Sequence, residues 1–214
     1  MKKIFFSFVL FSGLTHQVAT AQGTLFLSNL ATPPNGNSTI GAGSWWGQDF
    51  QTGTNPGGYN LSIVQLLMNS ASGSPSGFNL SLYSLPLPNS FIGNLTGSEP
   101  LAGGTYTFSA SGIHLQASSL YFIVASASSP LSQGTYNWSY GTAPPEVAGW
   151  SILKRYHSTD GVNWLIADRS SAFQFAVYAT AVPEPSSLFL LAMGGSFLFT
   201  RLARKSRSKA LRRP

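Results

Sequence analysis

The sequence predicts an all-β fold, an antiparallel β-sandwich of jelly-roll-like type, for residues 22–181 of the 214-residue chain. Glycine, proline, serine and asparagine interrupt this region at short intervals, and no long segment repeats apolar residues with the helical period of 3.6. Short runs rich in aromatic and β-branched residues alternate apolar with polar side chains instead, as half-buried strands do. Many short strands at this spacing are typical of a sandwich. We predict strands at 24–30, 45–51, 60–69, 78–84, 105–109, 120–125, 135–140, 150–156 and 172–179.

Residues 1–21 have the features of a secretory signal peptide. Lys2 and Lys3 supply the charged start, and an apolar stretch follows at 4–14 that is too short to span a bilayer. Ala19 and Ala21 are the small residues that signal peptidase accepts, which predicts cleavage before Gln22. The alternative is a buried helix of the folded domain.

The net charge of +6 would suggest a nucleic-acid partner, but its distribution excludes one. Between residues 22 and 181 the only cations are Lys154, Arg155 and Arg169, and acidic residues outnumber them. The folded body therefore has no basic patch for phosphates. The chain contains no cysteine, which excludes disulfides, cysteine nucleophiles and zinc–thiolate sites.

Three segments follow one another after residue 181. The first is a proline-bearing motif in which helix is disfavoured: Val182, Pro183, Glu184, Pro185 and Ser186. Residues 186–200 are uncharged and apolar, which predicts a single transmembrane helix at about 186–203. The last is a basic tail, 201–214, whose cations are Arg201, Arg204, Lys205, Arg207, Lys209, Arg212 and Arg213. The positive-inside rule places this tail in the cytoplasm and the β-domain outside.

This order of Pro-Glu-Pro, apolar helix and basic end resembles the PEP-CTERM sorting signal, over residues 182–214. The resemblance implies recognition by an exosortase, a membrane-embedded cysteine transpeptidase, with removal of the helix and tail near the motif. It implies a Gram-negative host that makes exopolysaccharide, and a protein that crosses the inner membrane, is anchored transiently and reaches the cell surface or extracellular matrix. The tail is longer than is usual in the class, and a plain membrane anchor is the alternative.

The body also resembles the choice-of-anchor domains that commonly precede such signals, over roughly residues 45–180. The stretches that carry the resemblance are QDFQTG at 48–53, GYNL at 58–61, LSLYS at 80–84, AGGTYTF at 102–108, LYFIV at 120–124, STDG at 158–161 and FQFAV at 173–177. The resemblance implies a β-rich surface module and no catalytic activity, and it assigns no functional role to any residue.

Aromatic side chains provide one candidate ligand site. Tyr136, Trp138 and Tyr140 alternate along a predicted strand and so share one of its faces. Core packing is the common explanation of such a stripe, and a sugar-stacking surface is the functional alternative.

The sequence shows no established motif for catalytic or metal chemistry. Neither His114 nor His157 has a metal-ligand partner two or four residues away, and no Gly-x-Ser-x-Gly elbow supports a triad of His157, Ser158 and Asp160. A glycosidase would need two of the few acids of the body, which are Asp49, Glu99, Glu146, Asp160 and Asp168.

Residues 158–164 form the most distinctive short motif of the body, and they resemble a single Asp-box turn that is one residue short. In this motif Asp160 can bond turn amides and Gly161 accepts positive φ, which favours a structural turn. A calcium site that joins Asp160 to Asp168 is the alternative. We expect no cofactor, no metal and no catalytic residue.

The sequence therefore predicts an exported, non-enzymatic surface or matrix protein, processed by signal peptidase and an exosortase and associated with extracellular polysaccharide. The alternative is a secreted carbohydrate-binding, lectin-like module or a polysaccharide-active hydrolase.

Overall fold

The computed structural model describes residues 23–85, 91–143 and 147–184. The predicted signal peptide with its cleavage residues Ala19, Ala21 and Gln22 lies outside these ranges, as do Pro185, Ser186, the predicted transmembrane helix and the basic tail. Within the three ranges every regular element is a strand, which confirms the all-β class. No helix of this part of the chain has the length and apolar character needed to cross a membrane.

The strands pair antiparallel in one continuous sheet of order β1-β14-β4-β7-β6-β5-β9-β3-β11-β12. β10 pairs with β2, β4 and β13, and β8 pairs with β4. The antiparallel pairing confirms the sequence prediction, whereas the jelly-roll topology stays a prediction. The strands are β1 (Thr24–Ser28), β2 (Pro34–Ile40), β3 (Trp45–Gln51), β4 (Tyr59–Gly73), β5 (Phe78–Ser84), β6 (Phe91–Gly97), β7 (Gly104–Ser109), β8 (His114–Leu115), β9 (Leu120–Ala127), β10 (Gly134–Thr142), β11 (Ser151–Ser158), β12 (Leu165–Asp168), β13 (Ser171–Phe173) and β14 (Phe175–Ala181).

Side chains from strands far apart in this order pack against each other, so the two halves of the sheet face one another across the core. Phe50 of β3 lies 6.1 Å from Phe175 of β14, ring centroid to centroid. Phe78 of β5 makes an edge contact with Tyr136 of β10 at 5.1 Å. Because aromatic rings bury large apolar areas, these contacts supply much of the stabilisation of a cysteine-free domain.

The last predicted strand, 172–179, is interrupted at Gln174, which separates β13 from β14. β13 pairs with β10, whereas β14 pairs with β4. Buried Asn29 bridges the interruption, since its Nδ2 donates to the Phe173 carbonyl at 2.9 Å and its Oδ1 accepts from the Phe175 N–H at 2.8 Å. A side-chain amide thus takes the place of a missing strand partner.

All nine predicted strands have a counterpart in the structure, but β2, β6, β8 and β12 were not predicted. β2 reads PNGNSTI, with more turn-forming than strand-forming residues. β6 reads FIGNLTG, in which Gly93, Asn94 and Gly97 interrupt the apolar pattern. Both strands are fixed by pairing with neighbours, β2 with β10 and β6 with β5 and β7.

Candidate functional site

The first residue of the predicted sorting motif is part of the folded domain. The Val182 N–H donates to the Gly58 carbonyl at 3.0 Å, and the Val182 carbonyl accepts from Asn55 Nδ2 at 3.0 Å. Directly before it, Ala181 pairs with Tyr59 at the end of the β14–β4 ladder. The turn before β4 therefore holds both backbone polar groups of Val182.

The local sequence explains this turn. In Asn55-Pro56-Gly57-Gly58 the Gly58 N–H donates to the Asn55 carbonyl at 2.8 Å, and proline occupies the second position, where its fixed φ is favourable. Gly58 has a φ of +71°, a conformation that glycine adopts at little cost. Gly57 allows close approach, because a Cβ there would lie 2.4 Å from the Val182 carbonyl oxygen.

Beyond Val182, the next two residues of the motif face solvent. Pro183 and Glu184 are both exposed. Proline has no N–H, so the hydrogen-bonded edge cannot continue through residue 183. The described chain thus passes from a paired strand to an exposed motif within two residues.

The aromatic stripe of β10 lies in the core. Tyr136 and Trp138 have no exposed surface, and Tyr140 is half-buried. Trp138 stacks on Phe173 with centroids 4.1 Å apart, and its indole N–H donates to the Gln174 carbonyl at 3.1 Å. The shared face was predicted correctly, but Tyr136 and Trp138 offer no surface for sugar stacking, because both are fully buried. A sugar contact of the half-buried Tyr140 stays a hypothesis.

A buried cation, which the sequence did not reveal, lies beside this stripe. The Arg155 guanidinium is centred 3.9 Å from the centroid of the Tyr140 ring, and the residue is 7% exposed. Its Nη2 lies 3.2 Å from Asp168 Oδ2. Hydrogen bonds from Ser171 and Ser170, and then from Arg155, hold the pKa of the Asp168 carboxyl well below its usual range. The signal in the sequence was a pair of cations, Lys154 and Arg155, in a predicted strand that also contains Ile152 and Leu153.

The motif at 158–164 forms a closed structural turn. Asp160 Oδ1 accepts from the Val162 and Asn163 N–H groups, each at 2.8 Å, and Oδ2 accepts from Asn163 Nδ2 at 2.7 Å. These hydrogen bonds lower the pKa of Asp160. Gly161 has a φ of +73°, and the Trp45 ring occupies the space where a Cβ would stand. The carboxylate is thus used within the turn, as the prediction of a structural turn requires, and the calcium site with Asp168 stays the alternative.

The residues considered for a triad have other partners. Ser158 Oγ donates to Asp160 Oδ1 at 3.0 Å, while the His157 ring packs on Trp46 with centroids 4.6 Å apart. Consecutive residues of a strand point to opposite faces, so His157 and Ser158 diverge. His114 Nδ1 lies 3.1 Å from Asn60 Oδ1 on the surface.

A second cluster, which we call the outer aromatic face, lies on the side of β9 that points away from the core. Phe122 is fully buried there although its neighbours Tyr121 and Ile123 face the core. Tyr156 and Trp164 make edge contacts with the Phe122 ring, at 5.1 and 4.9 Å. Further along the face, Tyr83 contacts Phe91, which is 57% exposed.

Asp49 lies beside this cluster as a carboxylate at 3% exposure. It accepts a hydrogen bond from the Lys154 N–H and another from the Tyr156 hydroxyl, at 3.2 Å for the latter. Burial raises the pKa of the Asp49 carboxyl, and these hydrogen bonds oppose the shift. Burial and the nearby Asp49 charge raise the pKa of Tyr156 to about 12. Perturbed pairs of this kind occur at functional sites as well as in structural networks.

Comparison with known proteins finds one family match, the PEP-CTERM protein-sorting motif, at residues 181–207. No curated protein and no solved structure matches the chain. The matched range begins at the last residue of β14 and includes Val182, Pro183 and Glu184. The motif implies processing by an exosortase and export to the cell surface. The chain therefore carries a PEP-CTERM sorting motif that starts at the edge of an all-β domain.

Proposed function

We propose that this protein is a non-enzymatic module of the cell surface or extracellular matrix, exported with a signal peptide and sorted by an exosortase. On this proposal signal peptidase cleaves before Gln22, the apolar segment after the motif anchors the chain transiently, and the mature β-domain associates with exopolysaccharide. The observation that carries the proposal is the sorting motif at residues 181–207, joined to the β-domain without a linker.

The composition of the domain supports the same proposal. Its polarity comes mainly from serine, threonine, asparagine and glutamine, and charged residues make up only 8% of the whole chain, most of them outside the domain. A surface of this kind has many neutral hydrogen-bonding groups and produces only a weak long-range electrostatic field. It suits a hydrated, carbohydrate-rich surrounding better than it suits a charged partner.

Replacement of Pro183, Glu184 and Pro185 by alanine tests the sorting step. In cells that contain the exosortase we expect the variant to accumulate as an uncleaved precursor in the membrane fraction, whereas the native chain loses its C-terminal segment. Intact-mass analysis of envelope and medium measures both ends of each product. Normal maturation of the variant would contradict the proposal. The circular dichroism spectrum serves as a control, since Pro183 and Glu184 are exposed and contribute little to folding.

A second candidate, a carbohydrate-binding module, is favoured by the outer aromatic face. Phe91 and Tyr83 lie near a polar network in which Ser81 Oγ donates to Asn94 Oδ1 at 2.8 Å and Asn79 Nδ2 donates to Ser81 Oγ at 2.7 Å. An exposed ring next to amide groups could both stack on a sugar and bond its hydroxyls.

Affinity electrophoresis in the host's exopolysaccharide distinguishes this candidate. We expect the native protein to be retarded and Phe91→Ala to migrate freely. Leu165→Ala is the matched control, because Leu165 is an exposed apolar residue, at 71%, on the edge strand β12. Equal retardation of both variants would eliminate the aromatic face as the binding surface.

A further inference from the structure

The end of β14 is held more firmly than a domain terminus requires. Ala179, Thr180 and Ala181 pair in register with Leu61, Asn60 and Tyr59 of β4. The backbone N–H and carbonyl of Val182 add two hydrogen bonds to the turn 55–58. Chain ends usually fray unless a specific contact ties them down. Here the contact extends one residue into the sorting motif.

The turn that makes this contact is itself fixed to the core. The Asn55 N–H donates to the Tyr59 hydroxyl at 3.1 Å, and Tyr59 is 4% exposed. The Tyr59 ring makes edge contacts with Trp150 and Phe26, with centroids 4.8 and 5.0 Å apart. Asn55 Nδ2 donates both to the Val182 carbonyl and to the Gly58 carbonyl, at 3.0 and 2.6 Å. Asn55 therefore connects the Val182 carbonyl to the hydroxyl of buried Tyr59.

The pairing of Val182 limits which residues are accessible to an enzyme that binds the motif as an extended segment. Residues up to Val182 have their backbone groups paired within the domain, so an enzyme can bind them only after those hydrogen bonds break. Pro183 and Glu184 are exposed and need no such opening. The boundary between protected and accessible backbone thus falls between Val182 and Pro183.

We propose that Asn55 is a positioning residue for exosortase processing, an inference that rests on the proposed function. By holding Val182, the turn 55–58 presents the motif from Pro183 onward and keeps the whole of β14 in the mature domain. The mature chain then ends at Val182 or later, and its C-terminal residue is the same in every molecule. Asn55 acts through Val182 and takes no part in the chemical step.

Two variants release Val182 in different ways. Asn55→Asp keeps the size of the side chain but replaces the bridging donor by an oxygen, which repels the carbonyls of Val182 and Gly58. Gly57→Ala leaves every hydrogen-bonding group in place but puts a methyl group against the Val182 carbonyl. Gly93→Ala in β6 is the matched control, because a Cβ there makes an ordinary contact with Ile113 at 3.5 Å.

The test expresses the full chain in cells that contain the exosortase, and measures the intact mass of the products and the hydrogen exchange of the peptide that contains Val182. We expect native protein and Gly93→Ala to give one C terminus, at Val182 or beyond. We expect Asn55→Asp and Gly57→Ala to give a mixture of C termini, some before Val182, with the Val182 amide exchanging at least tenfold faster. Tm values within a few degrees of the native value would show that the domain is folded in each variant.

Different outcomes contradict different claims. A native product that ends before Val182 overturns the positioning role, and so does a single unchanged terminus in both variants despite faster exchange. A native chain that stays full length in the presence of the enzyme overturns the proposed function itself, and the positioning role with it.

Discussion

Replacing Trp138 by alanine tests whether the aromatic stripe of β10 is a structural core. Trp138 has no exposed surface, stacks on Phe173 at 4.1 Å and donates its indole N–H to the Gln174 carbonyl. Removal of a fully buried tryptophan costs about 3 to 5 kcal/mol. In this variant the Gln174 carbonyl still accepts a hydrogen bond from the Leu67 N–H, at 3.0 Å. The substitution therefore leaves no buried acceptor unpaired, which would have added to the cost. For a domain of this size, such a loss lowers Tm by roughly 6 to 20 °C.

Urea unfolding followed by circular dichroism measures this loss, with two controls. Trp138→Phe keeps a ring on Phe173 and removes only the indole donor and part of the volume, so we expect a smaller cost of about 1 to 2 kcal/mol. Leu165→Ala removes an exposed side chain and should change stability by less than about 0.5 kcal/mol. A Trp138→Ala variant as stable as Leu165→Ala would refute the assignment of Trp138 to the core.

Further predictions concern Asp49, Asp168 and Gly161. Burial raises the pKa of Asp49 in the folded state, so its contribution to stability is present at acidic pH and declines as pH rises through the folded pKa. Asp49→Asn should therefore gain stability relative to native protein as pH increases from 3 to 8 in urea titrations. Asp168→Asn should lose stability relative to native protein over the same pH range, because a carboxyl whose pKa is lowered by folding stabilises the fold above its unfolded pKa. If the stabilities of both variants, relative to native protein, changed with pH in the same direction, this account would be contradicted. Gly161→Ala should lower Tm more than Gly112→Ala does. Both glycines have positive φ, so both substitutions strain the backbone. At Gly161 the new Cβ would also clash with the Trp45 ring, whereas no atom lies within 4 Å of a Cβ at Gly112. If Gly161→Ala and Gly112→Ala lowered Tm equally, the close packing of Trp45 on Gly161 would not contribute to stability.

β3 and β5 were predicted with their observed bounds, but for different reasons. In β5 the apolar residues Phe78, Leu80 and Leu82 alternate with polar ones, whereas β3 was recognised by its aromatic residues. β12 was missed although Leu165 and Ile166 are apolar, since both are exposed and the strand is fixed only by pairing with β11. The missed strands β2, β6, β8 and β12 therefore depend on pairing with their neighbours more than on an apolar pattern of their own.

The candidate sites were harder to predict, because their residues are distant in sequence. Asn55 and Val182 are 127 positions apart, and Asp49 and Tyr156 are 107 apart. The sorting motif was recognisable from the sequence, but only the β14–β4 register brings it next to the turn at 55–58. The burial of Asp49 depends likewise on a bulge in β11, which turns the Lys154 N–H toward the carboxylate.

Where the strand ladder of this cysteine-free sheet is interrupted, side-chain amides form hydrogen bonds with the backbone groups left unpaired. The same kind of hydrogen bond is found where the sheet meets the sorting motif. Asn29 bridges the interruption at Gln174. The side-chain amide of Gln48 accepts a hydrogen bond from the Phe173 N–H at 2.9 Å. It also donates one to the Lys154 carbonyl at the β11 bulge, at 2.9 Å. Asn55 does the same for Val182. Each amide pairs backbone groups that the strand ladder leaves free, and an unpaired buried group costs about 1 to 3 kcal/mol. At Asn55 the pairing marks the end of the domain, because the Val182 carbonyl that it satisfies directly precedes the exposed residues Pro183 and Glu184.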